Sequence, residues 1–418
     1  MNSLYLSTNR FLLFACILSL LAFTGCGDDD GDAPVDPIVE PELLSSDINE
    51  ELRLENTVAE DGLADYIVDG FLQVNADLII DPGVCIVFTA NSGLFINTDG
   101  SIQAIGTSNE PIKFTGEMKE EGFWRGLQIR ANDVRNELNH VILEYAGSDY
   151  LATYGTNVKL NGGVAIEGAS GSYGSLKLHN STIQKCMGIG FIVEQHASLR
   201  EFSNNILADN TEAAVRIDAD NTGSIDSETS FTGNGFNGVE INASGSPTHD
   251  LTAEDTWQPL SDGAAYRIAQ SFDARATLTI MPGTIIEFEA NQTIAFKQDF
   301  SGPNDGIIIA KGTASEPITF TGATKTAGYW QGLIVQSNSV LNELDHCIVE
   351  YGGSDEIDGG MANIILSKDG AFEDPDLSVS NTTLRHSAGC AIYVDPFGGN
   401  ITTSDITVSD NAGGGICP

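Results

Sequence analysis

The sequence predicts an all-β solenoid, a stack of coils of about 24 residues in which each coil holds about three short strands. Three observations predict it. The chain repeats itself over two halves, apolar residues recur at a step of 24 inside each half, and short runs alternate apolar and polar side chains between turns rich in Gly, Asn and Asp. No helical periodicity extends beyond the first 25 residues.

The long repeat is an internal duplication. "LTIMPGTIIEF" at 278–288 matches "LIIDPGVCIVF" at 78–88 with a shift of 200, and "GTASEPITFTG" at 312–322 matches "GTSNEPIKFTG" at 106–116 with a shift of 206. Further matches follow in the same order, which indicates two copies of one unit with small insertions.

The short repeat predicts columns of stacked core residues. Members of each column should lie on successive coils, because equivalent strands of a solenoid pair in parallel about 4.8 Å apart. Two such columns are Ile183, Leu207 and Phe231, and Val193, Ile217 and Ile241.

Four segments follow from composition. Residues 1–25 end in an apolar run typical of a secretory signal, and "FTGC" resembles the lipobox of bacterial lipoproteins, which implies that Cys26 carries lipid. Residues 26–50 are acidic and contain prolines, so we expect a tether. The two copies of the repeat are then placed at 51–245 and 246–418, as β-helix units 1 and 2.

Charge limits the partners. Asp and Glu number 59 against 19 Lys and Arg, a net charge of −40, so nucleic acid is not an expected partner. The acidic run after Cys26 resembles an export signal to the outer face of some Gram-negative cells. We therefore expect a lipid anchor in the outer membrane, a chain facing the exterior, and an extracellular glycan or surface protein as partner.

The repeated phrases "PGT-x-I-x-F", "PI-x-FTG", "G-x-W-x-GL" and "EYGGS" resemble those of bacterial surface lipoproteins with right-handed parallel β-helix repeats, in the pectate-lyase-like superfamily. The resemblance implies a right-handed parallel β-helix over about residues 55–418. It leaves function open, because this fold hosts lyases, glycosidases, adhesins and spacers. The favoured function is that of a non-enzymatic binding or adhesion protein with a carbohydrate ligand. A polysaccharide lyase or glycoside hydrolase, or a structural spacer, is the alternative.

Two tryptophans are candidate ligand-stacking residues. Trp124 and Trp330 occupy the same place in "GFWRGL" and "GYWQGL". An aromatic face can stack on a sugar ring, but a Trp at the start of a strand also covers a coil corner, and packing is the favoured interpretation. The glycines that follow, Gly126 and Gly332, should permit a tight turn or a close approach between coils.

One loop resembles a calcium-binding loop for part of its length. In "DADNTGSIDSET" (218–229) the first ligand positions are filled, but the closing Glu is one residue early. A turn of the solenoid is the favoured interpretation, and a Ca²⁺ site is the alternative. The candidate metal ligands are Asp218, Asp220, Thr222 and Asp226.

Catalytic residues are not evident. His140 and Glu144, and likewise His346 and Glu350, stand four residues apart, which on a strand separates them by about 13 Å, too far for an acid–base pair. The phosphate-loop, nucleophile-elbow and zinc-protease motifs are absent from the sequence. We therefore lean away from an enzyme and assign no catalytic residue.

The cysteines are expected to be buried free thiols. Cys85 and Cys347 align with aliphatic residues of the other copy, which indicates core positions. Strict alternation from Ile392 points Cys390 inward and gives Cys417 the opposite direction, so a bridge between these two is not expected.

Overall fold

The structure is a computed structural model that describes residues 40–58, 62–154, 158–168, 173–242, 250–298, 305–368 and 373–418. The predicted signal peptide, Cys26 and most of the tether lie outside these ranges. Within them, no helix is long and apolar enough to cross a bilayer.

The described chain is a right-handed parallel β-helix made of forty short strands in five sheets. Strands that follow one another along the chain lie in different sheets, and each strand pairs in parallel with its counterpart one coil away. The hairpin of β13 and β14 is antiparallel. Three sheets surround the core in each half, as the alternating runs predicted.

Sheet 1 has eight strands and belongs to the first half. Its strands are β1 (Glu42–Leu44), β3 (Tyr66–Val68), β6 (Cys85–Phe88), β9 (Ile112–Gly116), β12 (Val141–Glu144), β16 (Thr182–Gln184), β19 (Ile206–Ala208) and β21 (Ser230–Thr232).

Sheet 2 has fourteen strands and runs through both halves. Its strands are β4 (Phe71–Val74), β7 (Gly93–Ile96), β10 (Gly126–Ile129), β13 (Tyr150–Tyr154), β14 (Val158–Ile166), β17 (Ile189–Val193), β20 (Ala213–Ile217), β22 (Phe236–Ile241), β24 (Ala265–Ile268), β27 (Ile285–Phe288), β30 (Ile318–Gly322), β33 (Cys347–Glu350), β36 (Thr383–Arg385) and β39 (Thr407–Ser409).

Three six-stranded sheets complete the walls, with two short 3-10 helices, η1 (Ala219–Ser224) and η2 (Ser261–Gly263), near the junction of the halves. Sheet 3 contains β2 (Leu52–Leu54), β5 (Asp77–Ile80), β8 (Ser101–Ile105), β11 (Glu137–Asn139), β15 (Ser175–His179) and β18 (Ser198–Ser203). Sheet 4 contains β23 (Asp255–Trp257), β26 (Thr277–Ile280), β29 (Ile307–Lys311), β32 (Glu343–Asp345), β35 (Asp376–Ser380) and β38 (Asn400–Ser404). Sheet 5 contains β25 (Phe272–Ala274), β28 (Ile294–Phe296), β31 (Leu333–Val335), β34 (Ala362–Leu366), β37 (Cys390–Val394) and β40 (Gly414–Cys417).

The predicted core columns are confirmed. Leu207 pairs with Ile183 on one side and with Phe231 on the other, and all three are buried. A single hydrophobic cluster extends from the first coils to the last. Burial at about 25 cal/mol per Å² makes this continuous column the main source of stability.

The two copies of the repeat occupy different faces. β9 carries "IKFTG" and lies in sheet 1, whereas β30 carries the equivalent "ITFTG" and lies in sheet 2. The change occurs after β22, which pairs with β24, so the second copy is shifted by one face around the core. The predicted boundary at 245/246 lies outside the described residues, and the division into two units stays a prediction.

The first coil begins inside the stretch predicted to be a tether. β1 pairs in parallel with β3, and Ile48 is buried in the main core. The prolines and most of the acidic residues that suggested a tether precede residue 42, whereas Leu44 and Ile48 supply apolar side chains to the core. The expectation that residues 42–50 lie outside the β-helix is therefore wrong.

The prediction of free thiols at positions 390 and 417 is also wrong. Cys390 and Cys417 form a disulfide, with Cα atoms 6.2 Å apart. Both Ala391 and Ile392 face the main core, so alternation breaks there and Cys390 lies with Tyr393 on the outer side. Three other cysteines are buried free thiols: Cys85 and Cys347, as predicted, and Cys186, for which no prediction was made.

Candidate functional site

Trp124 is part of a buried coil corner. Its indole is completely buried and stacks on Phe88 with ring centroids 3.9 Å apart, while its Nε1 donates to the Glu144 carbonyl oxygen at 2.8 Å. Gly126 follows with φ of +119°, and a Cβ there would lie 2.6 Å from the Gly163 carbonyl oxygen. The corner therefore needs the glycine that the sequence singled out, and the indole face is closed to a ligand.

The second copy builds the same corner. Trp330 is also completely buried, stacks on Phe288 at 4.0 Å and donates from Nε1 to the Glu350 carbonyl oxygen at 2.8 Å. Because the contacts are the same in both copies, the repeated phrase is explained by packing, and neither tryptophan offers a ring to a sugar.

A buried carboxylate holds the loop beside each corner. Glu144 accepts from Thr115 Oγ1 at 3.0 Å and pairs with Lys113 Nζ at 3.1 Å, and Lys119 Nζ donates to Thr115 Oγ1 at 2.7 Å. Burial disfavours the ionised carboxylate, but the contacts from Lys113, Thr115 and Gln184 outweigh this and lower the Glu144 pKa.

The second copy repeats the threonine and lysine contacts of that network, although Glu350 pairs with Arg385 where Glu144 pairs with Lys113. Thr321 Oγ1 donates to Glu350 Oε1 at 3.0 Å, and Lys325 Nζ donates to Thr321 Oγ1 at 3.0 Å. His140 and His346, considered as acid–base partners of these carboxylates, adopt left-handed turns with φ of 51° and 50°. The two carboxylates anchor the loops, and the two histidines lie in turns.

The four candidate metal ligands do not converge. Asp218 caps η1 by accepting from Asn221 N at 2.9 Å, and Asp220 accepts from Thr252 N and Oγ1, both at 2.7 Å. Thr222 Oγ1 donates to the Asp218 carbonyl oxygen, and Asp226 accepts from Asn204 N. No group of three or more His, Cys, Asp or Glu in the described residues could hold a metal ion. The loop is therefore a hydrogen-bonded turn between coils.

A polar cavity of about 220 Å³ lies beside that turn, near the junction of the two copies. His196, Asp218, Asp220 and Asp250 line it. Burial raises the pKa of Asp218 to about 6, although hydrogen bonds from Asn221 oppose the rise. A carboxyl group with this pKa can exchange a proton near neutral pH, which is a property of general acids.

A second feature lies on the outer face of sheet 2, over the first coils. We name it the aromatic–arginine patch, and it was not predicted from the sequence. Its residues lie in β4, β7, β10 and β13 or directly flank β10: Phe71, Phe95, Arg125, Gln128, Arg130 and Tyr150. All six are partly exposed, and Gln73 beside them is exposed.

Arg125 lies between two rings of the patch. Its guanidinium carbon is 4.1 Å from the ring centroid of Phe71 and 5.2 Å from that of Tyr150, and its Nη2 donates to the Tyr150 carbonyl oxygen at 2.9 Å. Gly93 leaves room for Phe71, because a Cβ there would lie 3.0 Å from Phe71 Cδ2. The contacts hold the β13–β14 hairpin beside the rings.

Arg130 organises the other side of the patch. Its guanidinium carbon is 4.8 Å from the Phe95 ring centroid, and its Nε pairs with Glu167, to which Gln128 Nε2 also donates. Phe71 and Phe95 lie on successive coils with centroids 6.1 Å apart and planes 16° apart. The patch thus presents nearly parallel rings bordered by amide and charged groups.

The second copy shows which features the fold requires. Trp, Thr, Glu and Lys of the buried corner recur in both copies, whereas the patch residues do not. Their sequence counterparts are Ser271 for Phe71, Ala295 for Phe95, Gln331 for Arg125, Ile334 for Gln128, Gln336 for Arg130 and Glu356 for Tyr150. Ala295 and Ile334 are buried in an outer apolar cluster of sheet 5. The fold therefore does not need the patch, which makes it the best candidate site.

Comparison with known proteins identifies the fold and no more. Residues 254–362 match the family model described as a pectate-lyase like beta helix domain. Neither a search of curated proteins nor a search of solved structures found a match. The family match and the stacked parallel strands together support a β-helix, and the fold alone does not choose between binding and catalysis.

Proposed function

We propose that this chain is a non-enzymatic, lipid-anchored cell-surface protein that binds carbohydrate through the aromatic–arginine patch. One observation carries the proposal: partly exposed rings on successive coils, beside amide and charged groups, occur in one copy of the repeat and are replaced in the other. Positions that differ while the fold is kept are free to serve a ligand.

The chemistry of the patch suits a sugar ring. The apolar faces of pyranose rings pack on aromatic side chains, and their hydroxyls take hydrogen bonds from nearby amides and charged groups. Phe71 and Phe95 supply the rings, and Gln73 and Gln128 supply amides. The rings stand on successive coils, so an extended glycan could contact both.

A glycan array with the purified chain tests this proposal. The double variant Phe71→Ser and Phe95→Ala takes both residues from the second copy, so the fold should tolerate it. Affinity should fall by about tenfold or more, because two ring contacts are lost. Phe236→Ala is the matched control. Phe236 also lies on the outer face of sheet 2 but outside the patch, and its ring centroid is 3.6 Å from the guanidinium carbon of Arg267. Equal loss in both variants would contradict the assignment, and an array without hits would favour a structural spacer.

The lipid anchor and the exterior location belong to the same proposal. They are supported by the apolar run that ends at Cys26 and by the acidic stretch after it. In a Gram-negative host, Cys26→Ala should lose incorporated palmitate and leave the outer-membrane fraction. Protease added to intact cells should digest the wild-type chain if it faces the exterior.

A lyase or glycoside hydrolase of this fold is the second candidate. The cavity that contains Asp218 favours it, because a buried carboxyl group with a pKa of about 6 can act as a general acid. The test is release of reducing sugar from a panel of polysaccharides. Activity that is lost in Asp218→Asn but kept in Phe95→Ala would establish this alternative over the binding proposal.

A further inference from the structure

The charges of the aromatic–arginine patch bear on its ligand, and this step rests on the proposed function. Arg125 Nη1 lies 3.6 Å from Asp149 Oδ2, and Arg125 Nε and Nη2 both donate to the Tyr150 carbonyl oxygen. Arg130 Nε is paired with Glu167, a carboxylate whose side chain is only 9% exposed. Both guanidinium groups therefore already have acceptors within the chain.

Only a small positive charge remains on the patch. Lys159, whose Nζ lies 4.0 Å from the Tyr150 ring centroid, adds a third cation to Arg125 and Arg130, against the two carboxylates of Asp149 and Glu167. Counted with these three neighbours, Lys159, Asp149 and Glu167, the two arginines of the patch leave a formal charge of +1 in a chain whose net charge is −40. At low salt, the field of the whole chain repels an approaching anion.

An anionic sugar would compete with the carboxylates that already neutralise both guanidinium groups. Separating Arg130 from Glu167 would leave a buried carboxylate without its cation, which is costly. A sugar without charge avoids this exchange, since it needs only the rings of Phe71 and Phe95 and the amides beside them. We propose that the patch binds an uncharged polysaccharide and discriminates against uronate-rich or sulfated ones.

Two pairs of polymers with matched backbones test the inference by affinity electrophoresis and titration calorimetry. Hydroxyethylcellulose is compared with carboxymethylcellulose, and methyl-esterified pectin with polygalacturonate. We expect the wild-type chain to bind a neutral member of these pairs. The Phe71→Ser and Phe95→Ala double variant should lose this binding, and Phe236→Ala should keep it. The affinity for the neutral polymer should change by less than about twofold between roughly 50 and 500 mM NaCl.

A charge variant sharpens the test. Asp149→Asn removes the carboxylate beside Arg125 and should improve binding to the anionic members while leaving neutral binding nearly unchanged. Patch-dependent binding to anionic members alone, weakened by salt, would overturn the inference and leave carbohydrate binding intact. If these four polymers and a wider glycan array all fail to bind, the proposed function fails with it.

Discussion

At the residue scale, the buried carboxylates of this chain serve different ends. Glu144 is held ionised by Lys113 and its hydrogen bonds, whereas burial raises the pKa of Asp218 to about 6. Glu144 and its counterpart Glu350 therefore fix a loop in each copy. Ionisation of Asp218 near neutral pH, by contrast, destabilises the folded state.

Replacing Asp218 with Asn should show that effect. The folded-state pKa lies above the value of about 3.9 expected in the unfolded chain, so ionisation weakens the folded state as pH rises from about 4 to about 6. Asn cannot ionise. The free energy of unfolding of the Asp218→Asn variant, relative to wild type, should therefore rise by about 1–2 kcal/mol between pH 4.5 and pH 7. Thermal unfolding at both pH values measures the trend.

The exposed Glu228→Gln is the control for that trend, because it removes the same charge from the neighbouring turn without a buried group. A parallel trend in both variants would mean that general repulsion in an acidic chain, and not burial of Asp218, sets the pH response.

At the scale of a strand, one inward side chain should matter far more than its outward neighbour. In β19, Leu207 is completely buried between Ile183 and Phe231, whereas the adjacent Ile206 is 46% exposed. Leu207→Ala should cost about 2–5 kcal/mol in the free energy of unfolding, and Ile206→Ala about 0.5 kcal/mol or less. Urea unfolding followed by circular dichroism measures both, and similar losses would contradict the column as the source of stability.

The strands show how far sequence alone predicts this molecule. The step of 24 places Ile183, Leu207 and Phe231 correctly, because parallel coils stack equivalent residues. Strict alternation failed at Ala391 and Ile392, which both face the core, and so the Cys390–Cys417 bridge was missed. A local irregularity of this kind leaves no mark on apolar periodicity.

The patch was missed for a different reason. Phe71 and Phe95 lie in apolar runs, where an outward aromatic residue resembles a core residue, and the contacts of Arg125 depend on a hairpin that alternation does not describe. The signal was present in the duplication: at these positions the second copy has Ser271 and Ala295. A comparison of outward positions between the two copies therefore indicates the patch from sequence alone.

At the scale of the whole molecule, net charge should oppose folding. The negative charges of a chain with a net charge of −40 repel one another over long distances. Ion pairs such as Arg216 Nη2 with Glu240 Oε1, 2.6 Å apart and partly buried, attract only locally. Salt shortens the screening length from about 30 Å at 0.01 M to about 8 Å at 0.15 M, which weakens the long-range repulsion more than the short pairs. The melting temperature should therefore rise over this salt range at pH 7, and rise less at pH 5, where more carboxyl groups are protonated. A fall with added salt would show that local ion pairs, rather than net charge, dominate the electrostatics of this β-helix.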